Sequence, residues 1–295
     1  MTSRQIHAVP SFFFGVAATV LSPSAVIGQG APAPVATAAV DYADLADLVV
    51  QSPLIIDATV RSATKIKGEE AAGLPAGHTR FYVEADVLAL IRGSTAIPQR
   101  IGWLVDMAPD WRGKTPNLKK RRVLAFARPV SGRAAQVQLV TPNAQRDWSP
   151  AADQLARRIA QQAAAPDAPP IVQDVGNAFH VPGALPGEGE TQIFLKTQGD
   201  RPAALSVLRR PGERPRWSVA LSEIIDDAAA TPERGTLLWY RLACALPATL
   251  PDRSIASLSP EDGDVARADY AFVMAQLGPC RAAAPAPASP VPPEG

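Results

Sequence analysis

The run Arg80–Gly93, RFYVEADVLALIRG, is the longest alternating stretch in the chain and the one that most restricts its fold. Phe81, Val83, Ala85, Val87, Ala89 and Ile91 share one parity, and Tyr82, Glu84, Asp86 and Arg92 share the other with Leu88 and Leu90. A period of two places one set inside a sheet and the other outside. From Val87 onward both parities are apolar, which predicts burial on both faces before Gly93 ends the strand. The run is expected to be the central strand of a small β-barrel.

The flanking segments supply its neighbours. Asp41 can cap a short helix whose apolar stripe is Leu45, Leu48 and Val49, and Pro53 stops it. LIIDATVRSATKI reads as the first strand, with Ile56, Ala58 and Val60 inward and Asp57, Thr59 and Arg61 outward. Residues 67–78 are a hairpin loop. Ile101, Trp103 and Val105 alternate as a third strand, followed by a polar loop through Asp110, Trp111, Arg112, Gly113, Lys114 and Pro116. Val123 to Ala127 and Val137 to Val140 make a fourth and a fifth strand. Ser149-Pro150 then opens a helix ending near Gln162, with Leu155 and Ile159 on one face.

After a linker at 163–170, AAAPDAPP, a second unit spans 171–280. Short strands are expected at Thr191–Thr197, Ala203–Arg209 and Trp217–Leu221. Thr231-Pro232 starts a helix with Leu238, Leu242 and Ala245 on one face. Ser259-Pro260 starts another with Val265, Ala268, Phe272, Ala275 and Leu277 inward, and Gly278-Pro279 ends it. The predicted fold class is α+β, mainly β: an OB-like β-barrel with flanking helices over 41–162, then a smaller α+β domain with a helix pair.

The first 30 residues read as a secretory signal peptide, with Arg4 before a short apolar run from Phe12 to Leu21. That run is too short to span a bilayer, which takes about 20 apolar residues. Residues 31–40 and the Ala/Pro-rich tail 281–295 are expected to be disordered. The expected location is periplasmic or secreted, with no transmembrane segment after cleavage. Cys244 and Cys280 are the only cysteines, and an oxidising compartment favours their pairing as one disulfide. A formal net charge of +1 provides no overall field for nucleic acid, which is not an expected partner.

Taken in order, LADLVV, LIIDATVRSA, RFYVEADVLALIRG, KKRRVLAFARPV and VQLV resemble exported bacterial domains similar to the tissue-inhibitor/netrin OB-type barrel. In that family a short helix precedes a strand, and a long strand ends in a "vlkG"-like phrase, matched here by Leu88–Gly93. A "G.yLlF" strand follows, matched by Arg122-Val123-Leu124-Ala125-Phe126. The resemblance covers residues 42–140 and implies a fold. The animal inhibitors bind a protease's metal through an N-terminal cysteine. This chain has no cysteine in that region, so that mechanism does not carry over. No family is recognised in residues 171–280.

Catalytic sets are scarce. Once His7 leaves with the signal, only His78 and His180 remain, with no H-x-x-x-H, C-x-x-C or G-x-S-x-G, so no metal site and no cofactor is expected. His78 lies in a Gly-rich loop, and His180 is either a partly buried structural histidine or part of a functional loop. The neighbouring acids Glu69-Glu70, Asp226-Asp227 and Glu261-Asp262 lack the shared cleft that acid/base work needs. The strongest local charge feature is Lys119, Lys120, Arg121 and Arg122, which with Trp111, Arg112 and Lys114 could form a patch for nucleic acid, anionic glycan or phospholipid headgroups, or simply a solvated loop that keeps a strand end from pairing with another chain. The expected function is a non-enzymatic envelope binding or interaction protein whose partner is an envelope protein or glycan. The alternatives are a hydrolase using His180 with Asp174, Glu188 or Glu190, and protease inhibition by analogy with the barrel family.

Overall fold

The computed structural model describes residues 41–94, 96–221 and 231–281. The expected signal peptide, the segment 31–40, the pair Asp226-Asp227 and the tail beyond Arg281 lie outside the described residues. Helix α1, Tyr42–Gln51, starts where the Asp41 carboxylate accepts from the Ala43 N–H, and it buries Leu45, Leu48 and Val49. Strand β1, Leu54–Lys65, leads through a 3₁₀ turn at Gly68–Ala71 to β2, Thr79–Arg92. Strands β3, Arg100–Met107, β4, Arg122–Pro129, β5, Val137–Leu139, and β6, Gln145–Asp147, complete an antiparallel sheet. Its order is β3-β2-β1-β4-β5, with β6 on β4. Helix α2, Pro150–Ala164, begins at the predicted Ser149 cap.

Three expectations about this half need correction. The barrel is not closed: β3 and β5 are the two ends of the strand order, and they approach each other at an isolated bridge between Gly102 and Gln136 and at the bond from the Asp106 N–H to the Pro142 carbonyl. The centre of the sheet is β1, with β2 between it and β3. The second half of β2 is not buried on both faces, since Leu88 is 53 % exposed and Val87, Leu90 and Ile91 are half-buried. An apolar run on both parities is compatible with a twisted strand leaving the core, and tertiary context decides which it is.

The second half is an antiparallel sheet of order β10-β9-β8-β7. Its strands are β7, Val172–Pro182, β8, Gly189–Thr197, β9, Ala204–Arg209, and β10, Arg216–Ala220. Strand β7 had no counterpart in the sequence reading, because Gly176, Asn177 and His180 interrupt its pattern. One face packs on helices α3, Leu237–Ala243, and α4, Pro260–Leu277. The other leaves Phe179, Val181, Phe194 and Leu208 exposed, with Phe179 and Phe194 edge to face at 5.8 Å. Helix α3 starts at a Thr236 cap, five residues after the predicted start, and buries Leu237, Trp239, Leu242 and Ala243. The inward face of α4 is Gly263, Ala266, Asp269, Tyr270, Val273 and Leu277, rotated from the predicted one. No helix among the described residues is long and apolar enough to cross a membrane.

The chain thus forms α+β structure, mainly β, around two hydrophobic cores that share Tyr42 and Tyr240. The Tyr42 ring meets Trp239 edge to face at 6.1 Å, and its hydroxyl reaches Gln162. The Tyr240 hydroxyl donates to Asp47. Cys244 and Cys280 are bonded across the ends of α3 and α4, and Arg281 beside them pairs with Asp44 and Asp47 of α1.

Two outcomes follow. Closing a loop of sequence separation 36 should stabilise the fold by about 3–4 kcal/mol, so urea unfolding of Cys244→Ser/Cys280→Ser should show a loss of that order. Burial pushes the Tyr42 hydroxyl up to about 12, against the weaker opposing charges of Arg158 and Arg241. The folded state therefore holds this proton more tightly than the unfolded chain, whose tyrosines titrate near pH ~10. Its contribution is complete below that value and is lost as pH rises toward about 12. Melting curves across that window should be shallower in pH for Tyr42→Phe, with a residual slope from Tyr240 and Tyr270, whose hydroxyls burial also raises.

Candidate functional site

A concavity of about 750 Å³ lies where the first sheet fails to close. Its floor is the outer face of β2 and β3, where Arg80 pairs with Asp106 and Tyr82 with Leu104 across the strands and Gly102 lies next along β3. Arg80 is bidentate to Asp106 at 2.7 and 2.8 Å and gives a third hydrogen to the Glu70 carbonyl at 2.9 Å, tying the 3₁₀ turn over the cleft. The bond to Asp106 raises the Arg80 pKa, and the guanidinium's charge is met locally by its partner. Tyr82 lies across Gly102, where a Cβ would stand 2.4 Å from the tyrosine oxygen, and its hydroxyl has no partner among the described residues. Leu104, at 51 % exposure, offers an apolar surface beside it.

The opening itself has a backbone cause. The Gly102 N–H reaches the Ala135 carbonyl at 2.9 Å, and the Asp106 N–H reaches that of Pro142 at 2.8 Å. A regular parallel ladder would match four residues with four, yet these contacts set residues 102 to 106 against 135 to 142. At about 3.3 Å per residue, roughly 13 Å of β3 faces a path of up to roughly 23 Å. Val137 and Leu139 are held in the core and paired to β4, so the surplus is displaced outward. Leu104 has the same parity as Gly102 and Asp106, so its N–H also points away from β2, toward the cleft. Val130, Val140 and Pro142 form an apolar wall, and Arg128 and Arg133 stand at its rim. Each of these arginines bonds the side-chain carbonyl of a glutamine, Arg128 to Gln138 at 3.2 Å and Arg133 to Gln136 at 3.0 Å. No carboxylate pairs with either among the described residues.

None of the binding residues expected from the sequence lines this cleft. Trp111 is 85 % exposed on a turn made by Asp110, whose carboxylate accepts from the Arg112 and Lys114 N–H groups. Arg112 stacks on Trp111 at 4.3 Å from the ring centre, and Lys114 is exposed beside them. The basic run splits into two parts. The Lys120 N–H bonds the Val60 carbonyl, which anchors the turn to β1, and Lys119 and Lys120 point to solvent. Arg121 pairs with Asp147. Arg122 is bidentate to Asp57 at 2.7 and 2.9 Å and lies 3.7 Å over the Trp148 ring. Asp57, expected to face outward, is only 2 % exposed. Removing Arg122 would strand a buried carboxylate, so Arg122 serves the fold.

His180 ends a buried polar chain. Arg209 bonds Asp269 at 2.6 Å, and the Thr191 hydroxyl donates to Asp269 at 2.5 Å. Having given its one hydrogen away, Thr191 accepts from His180 Nδ1–H at 2.9 Å, which leaves Nε2 as an acceptor. Asp269 is fully buried. The acids expected around His180 lie elsewhere. Asp174 pairs with Arg253, and Glu188 accepts from the Ala184 and Leu185 N–H groups. Glu190 lies on the opposite face of the sheet, bonded to Gln192 and Ser206. No cluster of three or more His, Cys, Asp or Glu that could hold a metal exists among the described residues.

No protein-family model matches the chain, and no curated protein sequence matches it. The site must therefore be judged by its geometry. Its donors and apolar walls suit holding a ligand, whereas its only carboxylates are Glu70 and the already paired Asp106. Sequence reasoning missed it although one signal was present: Arg80 and Tyr82 share the outward parity of β2, and an outward aromatic beside an arginine on a long strand marks a surface that does more than face water.

Gly102→Ala should drive the Tyr82 ring from its place, since the added carbon also meets the Val83 carbonyl at 3.2 Å. A loss of about 1–3 kcal/mol is expected from such overpacking. The change should appear as altered tyrosine fluorescence or Tyr82 ring shifts, while Gly263→Ala in helix α4, where the nearest atom stands 3.4 Å away, should leave both unmoved.

Proposed function

We propose that this chain is an exported binding protein of the bacterial envelope, acting in the periplasm or outside the cell, and that the cleft between β3 and the chain around β5 is its ligand site. The observation that carries the reading is the cleft itself: its volume of about 750 Å³ falls within the span of about 300–1,000 Å³ typical of small-molecule sites. It is lined by apolar side chains with a few convergent donors, the usual composition of such sites. The signal-like N-terminus and the Cys244–Cys280 bond support export.

On this reading the first sheet is an opened relative of the OB-type barrel, in which the missing pairing between its two ends becomes the binding site. The near-meeting at Gly102–Gln136 and Asp106–Pro142 supports that view. The Trp111–Arg112–Lys114 turn is proposed as a second contact, for an envelope protein or glycan. Its support is a tryptophan held almost entirely in solvent on a preset turn. A hydrolase is not favoured, because the acids expected to join His180 are each engaged elsewhere.

Thermal-shift screening of the purified full chain against envelope metabolites tests the cleft. A stabilising compound should be found, and Leu104→Glu should abolish its effect while leaving the unliganded melting temperature within about 2 °C, as for exposed substitutions generally. Stabilisation that persists in Leu104→Glu would move the site elsewhere. Fractionation of the native host tests export: reduced thiols in a cytoplasmic fraction would remove that half of the reading.

A further inference from the structure

We infer that the cleft takes a monomeric anionic amphiphile, a small molecule with an apolar body and one carboxylate, phosphate or sulfonate. The inference rests on the cleft being a binding site and adds the class of ligand.

The charges decide the head group. The ionised side chains lining the cleft are Arg80, Arg128 and Arg133 against Glu70 and Asp106, a sum of 3 − 2 = +1. Arg80 and Asp106 cancel each other within one bidentate pair. Glu70 is exposed at the rim, and its link to Arg80 is through its carbonyl rather than its carboxylate. Arg128 and Arg133 are different: a glutamine carbonyl orients each guanidinium without neutralising it. Their remaining N–H groups can fork onto an anion. Another polar group facing the space is the Tyr82 hydroxyl, which has no partner among the described residues. With the free N–H groups of Arg128 and Arg133, the side-chain donors suit an acceptor-rich head.

The shape decides the body. Leu104, Tyr82, Val130, Val140 and Pro142 present an apolar trough. The trough is closed at both ends by the bonds Gly102–Ala135 and Asp106–Pro142. An added β-strand needs an edge open along its length, and here the edge of β3 is pinned at Gly102 and at Asp106. A compact molecule entering from the side fits where a peptide strand does not.

The test compares two fluorescent probes with the same aromatic body, anilinonaphthalene sulfonate and the uncharged phenylnaphthylamine, on the purified full chain. The sulfonate should bind about tenfold tighter at low salt, with the gap narrowing as salt is added, and dodecanoate should displace it. Arg128→Gln/Arg133→Gln should bring the two probes to equal affinity, and Leu104→Glu should remove both. Phe179→Ala, on the exposed face of the second sheet, should change neither, and circular dichroism confirms that each variant is folded. Equal affinity of the two probes in the unaltered chain would overturn the anionic class and leave the binding site standing. Binding of neither probe, or binding insensitive to Leu104→Glu, would overturn the site and the inference together. Uptake of the chain by phosphatidylglycerol vesicles without binding of monomeric probe would overturn the monomeric ligand.

Discussion

Two backbone bonds, Gly102 to Ala135 and Asp106 to Pro142, fix how the first sheet ends. Between them β3 advances four residues while the facing chain advances seven. A parallel ladder cannot absorb that difference, because its hydrogen bonds are evenly spaced. Nor can β5 take it up by sliding. Its register with β4 is set by Ala127–Leu139 and Pro129–Val137, and a one-residue slip would turn Val137 and Leu139 out of the core. The surplus therefore leaves the sheet, and the cleft is what remains. Its floor is then made rigid by local means: Arg80 clamps Asp106 and the 3₁₀ turn, and the absence of a side chain at Gly102 lets Tyr82 lie flat.

Elsewhere the arginines serve the fold. Asp57 in the first core and Asp269 in the second are buried carboxylates, each satisfied by an arginine that remains partly in solvent, Arg122 and Arg209. An ion pair so placed contributes less than its Coulomb energy suggests, since burying the carboxylate is costly, but loss of either arginine would be severe. Arg281 joins α1 to the disulfide-bonded ends of α3 and α4, and with Tyr42 and Tyr240 it holds the two cores together. Against this background a guanidinium held only by a glutamine, as Arg128 and Arg133 are, is an exception.

Most elements were legible in the sequence because their signals are local. The caps Asp41, Ser149 and Ser259, the stop at Gly278, the strands around Ile56, Val83, Trp103 and Phe126, and the cysteine pair follow from side-chain chemistry within a few residues. The failures come from partners distant in sequence. Asp57 looks like the outward residue of an alternating strand until Arg122, 65 residues later, covers it. The inward face of α4 was misplaced because an aspartate argues against burial, whereas Arg209 and Thr191 make Asp269 an interior residue. With Asp269 counted as interior, Ala266, Tyr270 and Val273 fall beside it on one helical face. The cleft was illegible for a deeper reason. It depends on the offset between two distant backbone bonds, and no residue type encodes that offset.

The same reasoning separates the two surfaces that could meet a ligand. The Trp111 turn is rich in the residue types that sequence reading favours, yet its side chains stand in water, where cation and ring are already solvated and a partner gains little from either alone. Such a turn can add contact area to a large partner but cannot by itself enclose a small one. The cleft has less conspicuous residues in a more demanding arrangement. Tyr82 is held by packing, Leu104 presents an apolar side chain from a paired strand, and two arginines are oriented by glutamines that do not consume their charge. A group whose orientation is fixed before binding loses less freedom when a ligand arrives. Preorganisation, rather than the density of charged or aromatic residues, therefore makes the cleft the better candidate for a small ligand and leaves the turn to larger partners.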